Sequence, residues 1–160
     1  MSATGLVQHA WSRVGIGTQA VAVADRDALG TTARIAVWPA SNLPALLSVV
    51  DDELAALDAQ ASRFRADSEI SLLHEAGEGS HRVSAGLADA IRTALAAAAW
   101  TEGRCDPTVG SALIRLGYDR DFTAIAPDDS PLSLDRGASA GWPTVRLRGD
   151  ELALPAGLLL

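Results

Sequence analysis

The apolar residues of this chain change their spacing twice, and this change limits the possible folds more than any other feature of the sequence. Two stretches near the start, residues 18–25 and 32–38, are rich in β-forming residues and partly alternate, so they predict strands. Four segments with helical spacing follow. The end of the chain predicts a hairpin, in which residues 144–147 and 151–154 flank a turn at 148–150. Strands, then helices, then strands again predict an α+β fold with a mainly antiparallel sheet and helices packed on it.

The first predicted helix begins at Leu43, with Ser41 or Asn42 as its N-cap and Pro44 in its first turn. The apolar stripe that we expect to face the core consists of Leu46, Leu47, Val50, Leu54 and Leu57. Acidic side chains occupy the opposite face, so we expect that face to lie in solvent.

The second helix is predicted from its capping residues, and the third from its apolar face. The second lies within residues 65–77, with Asp67 or Ser68 as its N-cap and Gly77 at its end. We expect Glu69, at its start, to serve helix initiation. The third runs from Ser84 to about residue 102, with Leu87, Ile91 and Leu95 on its inner face.

The fourth helix is predicted after the sequence "CDP". Asp106 is expected to cap it, with Pro107 at the first helical position and Gly117 at the end. We expect this helix to pack inward through Val109, Leu113 and Leu116. Residues 118–141 are then irregular, and a loop of that length is either functional or mobile.

Composition excludes several classes of function. The net charge is −7, which argues against a nucleic-acid surface. All 13 basic residues are arginine, so this chain holds no Walker A lysine, Schiff-base lysine or lysine general base. Since 48% of the residues are hydrophobic but only 4% are aromatic, we expect a core of Ala, Leu and Val. At 160 residues we expect one domain, residues 1–160.

The sequence also indicates where such a protein acts. No run approaches the roughly 18 apolar residues of a membrane-spanning helix, so no membrane contact is expected. Residues 1–17, which we expect to be a loose start, show neither the apolar core of a signal peptide nor a lipid-modifiable cysteine. A cytoplasmic protein is therefore expected. The single Cys105 cannot form an internal disulfide.

One short string resembles a hydrolase motif. "GASAG", residues 137–141, fits the Gly-x-Ser-x-Gly pattern of a nucleophile elbow, which needs a strand before it, a helix after it and a later histidine. An irregular stretch precedes it, and the last histidine is His81. We therefore interpret Ser139 as a loop residue.

The last three residues of the sequence, Leu158, Leu159 and Leu160, are all apolar. Chain ends usually lie at the surface, so three leucines resemble the first half of a buried strand. We expect the chain to end just before a further segment, and an unpaired apolar edge after Gly157 to make the isolated chain associate.

Four stretches of the sequence match a known family in the same order and at about the same spacing. They are "LGTTARIAV" (residues 29–37), "LDAQASRFRADSEISLLH" (57–74), "TEGRCDPTVGSALIRLGYDRDF" (101–122) and "LALPAGLLL" (152–160). They resemble a Met-Gly-Thr strand start, a "SEIS.LN" helix junction, a "GAFDPTVG" segment and a closing "P.G..L". The family is the FAD:protein FMN transferase family, also called the ApbE or thiamine-biosynthesis lipoprotein family. This chain resembles its amino-terminal portion only.

The resemblance implies a definite chemistry. Members of the family bind FAD as a substrate together with a divalent metal, usually Mg²⁺, cleave the pyrophosphate and transfer FMN to a Thr or Ser hydroxyl of a target flavoprotein. In the family, an aspartate-led "DLGGIAKG" run follows the closing motif, and the catalytic and metal-binding residues lie largely there and beyond. The resemblance therefore implies no catalytic and no metal-binding residue within this chain, and the chain alone is expected to be inactive.

What this half would supply, by the resemblance, is the wall that holds the dinucleotide. Motif position implies six flavin-nucleotide contacts: Leu29, Phe64, Arg104, Cys105, Asp106 and Thr108. Leu29 stands where the family has methionine, Phe64 where it often has tyrosine, and His74 where asparagine is usual. Arg104 replaces a small residue, and a long cation near a pyrophosphate either helps binding or crowds it.

Each of these residues also has a purely structural interpretation. Asp106 is explained as a helix cap, Cys105 as a small packed side chain, and Leu29 as a core residue. Phe64 is as well explained by core packing as by stacking on a ring.

Two other functions stay open. The chain is either an incomplete FMN transferase, or a flavin-binding or FAD-hydrolysing relative that never transfers FMN, or a structural fragment that binds nothing and acts at most as an interaction module. The acceptor protein and the oligomeric state cannot be derived from the sequence.

Overall fold

The computed structural model describes residues 20–121, 124–125 and 141–160. It contains helices and antiparallel strands, which confirms the predicted α+β class and the antiparallel pairing. The chain divides into two compact units, Met1–Ala56 and Leu57–Leu160. No helix among the described residues is both long and apolar enough to cross a membrane. The "GASAG" serine, Ser139, and the expected loose start lie outside the described residues.

The first unit contains a tight antiparallel hairpin. Strands β1 (Ala22–Ala28) and β2 (Thr31–Val37) pair along their full length. Both predicted strands are confirmed, although β1 ends three residues later than expected. The two turn residues, Leu29 and Gly30, have φ angles of 53° and 71°. Two successive positive φ angles are what a two-residue hairpin turn requires, because its twist then matches that of the strands.

Helix α1 (Leu43–Ala61) starts where the sequence predicts, but its cap and its buried stripe differ. A 3-10 turn, Ala40–Asn42, runs directly into the helix, so no side chain caps it as predicted. Leu43 is buried with Ala24 and Val37, whereas Leu46 and Leu57 are exposed. The predicted stripe is therefore wrong at these two positions. The side of the helix that faces the core contains Leu43, which was not predicted, and Leu47, which was.

One ion pair fastens the hairpin of the first unit to its helix. The Arg26 guanidinium on β1 donates from Nε to Asp51 Oδ1 of α1 at 2.7 Å. A second pair lies within the hairpin, where Arg34 Nε donates to Asp25 Oδ1 at 2.7 Å. A guanidinium and a carboxylate can form two parallel hydrogen bonds, and this bidentate pairing fixes the orientation of both side chains as well as attracting them.

The second unit is built on a three-stranded antiparallel sheet. Its strands are β3 (Gly79–Arg82), β4 (Arg146–Arg148) and β5 (Glu151–Leu154), in the order β3-β5-β4. The hairpin of β4 and β5 confirms the predicted one. The strand β3 was not predicted, because its sequence, "GSHR", holds no apolar alternation. The central strand is buried, with Leu152 and Leu154 on the core side.

Three helices surround that sheet: α2 (Glu69–Ala76), α3 (Ala85–Trp100) and α4 (Gly110–Arg115). The capping prediction for α2 is confirmed, since Ser68 Oγ accepts the Ser71 N–H. The third helix was predicted to begin at Ser84, and Ser84 is its N-cap, with its Oγ accepting the Leu87 N–H. Ser68 rather than Asp67 is the cap of α2. The buried members of the core are Ile70, Leu73, Val83, Leu87, Ala88, Ile91, Val145, Leu152, Leu154 and Leu158.

The prediction for α4 is wrong at its start. The helix begins at Gly110 rather than at Pro107, and Val109 is at its N-cap position. Asp106 instead closes a tight turn upstream, because its Oδ1 accepts hydrogen bonds from both the backbone N–H and the hydroxyl of Thr108. As a result Val109 and Leu116, expected inside, are exposed.

The closing leucines do not form the predicted strand. A turn at Pro155–Leu158 ends the sheet, with the Leu158 N–H donating to the Pro155 carbonyl and Gly157 at a φ of 70°. Leu158 then enters the core, where it is only 7% exposed, and Leu160 packs against that core. Core burial rather than strand pairing therefore accounts for these apolar side chains.

Candidate functional site

The segment 104–108 forms a compact, internally bonded turn. Asp106 Oδ1 lies 2.8 Å from the Thr108 amide nitrogen and 2.7 Å from its hydroxyl oxygen. Thr108 is buried, at 2% exposure, so its hydroxyl supports the turn rather than facing solvent. Asp106 is half-buried, and its Oδ1 is the atom that holds this turn together.

Arg104 and Cys105 lie at the surface beside this turn. Both are exposed, so the expectation that Cys105 is a packed side chain is wrong. The reason is the backbone path: the Cys105 N–H donates to Thr101 Oγ1 at the end of α3, which turns this part of the chain outward. Two of the six expected contacts are thus accessible to a ligand.

Phe64 belongs to a cluster of two rings and one guanidinium that the sequence analysis did not predict. The Arg63 guanidinium carbon lies 4.8 Å from the ring centroids of both Phe64 and Tyr118. The two rings themselves meet edge to face, with centroids 5.4 Å apart. Arg63 also donates from Nη2 to the Tyr118 carbonyl at 3.4 Å. Cation–π attraction from two rings fixes the plane and position of this guanidinium.

An apolar groove of about 250 Å³ lies next to this cluster. Its walls come from the end of α1, from α2 and α3, from Pro107 and from Leu160, with Arg63 contributing the only charged side chain among the lining residues. The groove therefore joins the junction before α2 with the segment that contains Asp106 and Thr108. These two segments are about forty residues apart in the sequence, and both carry expected flavin contacts.

A smaller cavity of about 60 Å³ lies on the other side of Arg63. Phe64, His74, Gly110 and Leu160 are among its lining residues. The His74 ring is half-buried, and its Nε2 accepts the Leu160 N–H at 3.1 Å. Burial, and secondarily the positive charge of Arg63, lowers the pKa of His74 below its usual value. The ring is therefore neutral at neutral pH.

Leu29 lies in the first unit, at the hairpin turn, whereas the other five expected contacts belong to the second unit. It is 49% exposed, so the expectation that it is a core residue is wrong. A leucine with a φ of 53° is unusual, because its Cβ crowds the backbone in the left-handed region. Such strain persists where the position has another task, and it is frequent at ligand sites.

The described residues do not form a metal site. No group of three or more His, Cys, Asp or Glu side chains is close enough to hold a metal ion in the parts of the chain that the structure describes. A hard cation such as Mg²⁺ needs several oxygen ligands, and one half-buried carboxylate at Asp106 does not supply them. No chemical step is therefore assigned to a metal here.

Sequence reasoning missed Arg63, Tyr118 and His74. The first two were detectable in principle, because "RF" precedes the second helix and Tyr118 is the only tyrosine in the chain. Their meeting across 55 residues is a property of the tertiary structure. The only sequence feature that pointed to His74 was that it stands where the family usually has asparagine.

A comparison with known families identifies the chain. The family model described as the ApbE family matches residues 29–157. Because this match covers most of the chain, the chain belongs to the ApbE family, as the motif resemblance predicted. No match was found among the curated proteins.

Three solved structures share the fold. The apo form of flavinyl transferase ApbE from Pseudomonas stutzeri is 18% identical, with a TM-score of 0.66 over 92% of this chain and 50% of that chain. The ApbE protein of Thermotoga maritima is 18% identical, with a TM-score of 0.63 over 88% of this chain and 46% of that chain. A mutant of flavin transferase ApbE from Vibrio cholerae is 21% identical, with a TM-score of 0.62 over 86% and 45%.

At identities of 18–21%, the similarity to these structures shows that this chain shares their fold. The chain spans about half the length of the solved structures it matches. Two of the three are flavin transferases by name.

Proposed function

We propose that this chain forms the flavin-nucleotide-binding part of an FAD:protein FMN transferase. The whole enzyme would bind FAD as substrate with Mg²⁺, transfer FMN to a Thr or Ser hydroxyl of a target flavoprotein and release AMP. One observation carries the proposal: Arg63, next to Phe64, and Pro107, next to Asp106, line one apolar groove, and both of their segments match family motifs.

The chemistry of this groove suits a dinucleotide with two aromatic ring systems. Binding sites for such ligands are mostly apolar, with a few polar groups that fix orientation. Here the walls are aliphatic, and the charged group among the lining residues is the Arg63 guanidinium. The groove is about 250 Å³, below the roughly 300–1,000 Å³ of complete small-molecule sites, so it accommodates only part of FAD.

Arg63 is the group best placed to meet the phosphates. A planar guanidinium pairs with phosphate oxygens through two parallel hydrogen bonds, and Arg63 is already oriented by Phe64 and Tyr118. Orientation before binding reduces the entropy that the ligand must overcome. The neighbouring Arg65 is not equivalent, because it is engaged with Asp58 and Asp67.

The catalytic and metal-binding residues are proposed to lie outside this chain. The described residues supply no metal ligand set. In phosphoryl transfer, positioning and charge neutralisation account for most of the rate. This chain would contribute the positioning, and the activity of the whole protein would need the rest of the length seen in the solved relatives.

The binding proposal is tested by the melting temperature of the full chain with and without FAD and Mg²⁺. At a ligand concentration one hundred times the dissociation constant, binding stabilises the fold by about 2.7 kcal/mol, which corresponds to roughly 10 °C for a small domain. Arg63→Gln is expected to weaken FAD binding at least tenfold, as expected for a lost charge-assisted hydrogen bond. Arg65→Gln is the matched control and is expected to leave the affinity unchanged.

The outcomes separate the three functions. No shift with FAD and Mg²⁺ would contradict the proposal and favour a structural fragment. A shift without FMN transfer, when the remaining length of a solved relative is supplied together with a target flavoprotein, would favour a flavin-binding or FAD-hydrolysing relative. Equal losses in Arg63→Gln and Arg65→Gln would show that the groove does not hold the phosphates.

A further inference from the structure

The segment 157–160 is fastened to the second unit by four separate contacts. Leu158 is buried in the core, and Ser111 Oγ donates to the Gly157 carbonyl at 3.3 Å. Gly110 lies so close to Leu159 that an added Cβ would sit 3.0 Å from the Leu159 carbonyl oxygen. The fourth contact is the hydrogen bond from the Leu160 N–H to His74.

Of these contacts, only the one to His74 depends on a group that titrates near neutral pH. Nε2 accepts the Leu160 N–H, so the proton of the neutral ring is on Nδ1. When the ring takes up a second proton, Nε2 becomes a donor, and two N–H groups then face each other. The hydrogen bond is lost at that moment.

The charges around His74 all favour its neutral form or do not oppose it. Arg63, from the junction before α2, is positive and lowers the pKa of the ring. Asp119, which follows α4 and lines the same small cavity, is held in an ion pair with Arg120 at 2.7 Å. On α2 itself, Glu69 is bonded to Ser84, and Glu75 is exposed. No ion pair joins His74 to a side-chain carboxylate among the described residues.

We propose that His74 is a pH-sensitive latch that holds Leu159 and Leu160 over the small cavity beside Phe64. With the ring neutral, the two leucines form one wall of that cavity together with His74 and Gly110. With the ring protonated, Leu160 separates from α2 while Leu158 stays in the core, and the cavity opens. An effect of this opening on flavin binding would rest on the proposed function, whereas the opening of the cavity does not depend on that function.

The latch is tested on the full chain without FAD, by NMR between pH 8 and pH 5. The His74 ring is expected to titrate below the usual histidine range, because its pKa is lowered. Over the same pH interval, the hydrogen-exchange protection factor of the Leu160 amide is expected to fall about fivefold, the equivalent of one net hydrogen bond. A Leu160 protection factor that stays constant while His74 titrates would overturn the latch.

Two variants distinguish the latch from a general destabilisation of the fold at low pH. His74→Asn keeps an acceptor oxygen at every pH, so it is expected to retain the Leu160 contact and lose the pH dependence. His81→Asn is the control: that ring contacts the Gly77 carbonyl, and the Leu160 profile is expected to be unchanged. A pH-dependent profile that survives in His74→Asn would contradict the proposal.

The wild-type titration needs no variant, so the test stands even if a substitution impairs folding. Failure of the latch would leave FAD binding untouched. Failure to bind FAD would leave the Leu160 profile untouched, so the two proposals are tested independently.

Discussion

Replacement of Glu69 by alanine tests how the helices of the second unit are connected. Glu69 Oε1 accepts the Ser84 backbone N–H at 2.5 Å, and Oε2 accepts the Ser84 hydroxyl at 2.5 Å. The Ser84 oxygen in turn accepts the Leu87 N–H and begins α3. One carboxylate in the first turn of α2 therefore holds the residue that starts the next helix.

The size of the effect follows from these contacts. A hydrogen bond to a charged group contributes about 1.5–3 kcal/mol in protected surroundings, and much less where solvent competes. We therefore expect about 1.5 kcal/mol for the two bonds together. An acidic residue in the first turn adds about 0.5 kcal/mol through the helix dipole. Glu69→Ala is thus expected to lower the free energy of unfolding by about 2 kcal/mol, or the melting temperature by roughly 7 °C.

The assay is urea unfolding followed by circular dichroism, with three further variants. Glu69→Gln is expected to lose about half as much, because its carbonyl still accepts the Ser84 N–H while its amide group only donates. A double-mutant cycle with Ser84→Ala is expected to give a coupling of about 1 kcal/mol. Glu75→Ala, at the exposed end of the same helix, is expected to be neutral.

The reasoning would be refuted by a Glu69→Ala variant as stable as the Glu75→Ala control. It would also be refuted by additive losses in the cycle, since independent losses mean that Glu69 and Ser84 do not stabilise each other.

Two further predictions concern packing and charge. Gly110→Ala is expected to destabilise the fold by about 1 kcal/mol, because its Cβ meets the backbone of Leu159. Gly86→Ala meets only the end of a glutamine side chain and is expected to stabilise α3 by about 0.5 kcal/mol. Urea unfolding of both variants checks this, and changes of the same sign in their free energies of unfolding would contradict it. The hydrogen bond from Arg65 lowers the pKa of the Asp67 carboxyl, so this pair stabilises the fold above the carboxyl's ordinary pKa and ceases to do so as the pH falls through the lowered one. NMR titration is expected to show that pKa rising towards its ordinary value in Arg65→Gln, and an unchanged pKa would disprove the assignment.

Local features of this chain were predictable because they depend on residues within one helical turn. Ser68 was among the two residues predicted to cap α2, and the start of the third helix was predicted at Ser84, since a cap and the N–H it accepts are three residues apart. The β4–β5 hairpin was predictable from its turn. The start of α4 was not, because Asp106 bonds to Thr108 two residues later, and the sequence cannot distinguish this turn from a cap.

The candidate site was predictable only as a set of motif positions. Their order along the chain indicated the family and the segments concerned, but not their exposure. Leu29 and Cys105 were expected inside and lie at the surface, because exposure depends on what other segments cover.

What the sequence by itself determined is therefore the α+β class, the cap of α2, the closing hairpin and membership of the ApbE family. The tertiary structure alone decided that Arg63 lies between Phe64 and Tyr118, and that Leu160 reaches His74 across 86 residues. The physical reason is the separation along the sequence of the residues that interact. Capping and turn formation are settled by neighbours in the chain, whereas burial, ring contacts and the pKa of a buried histidine depend on segments that only folding brings together.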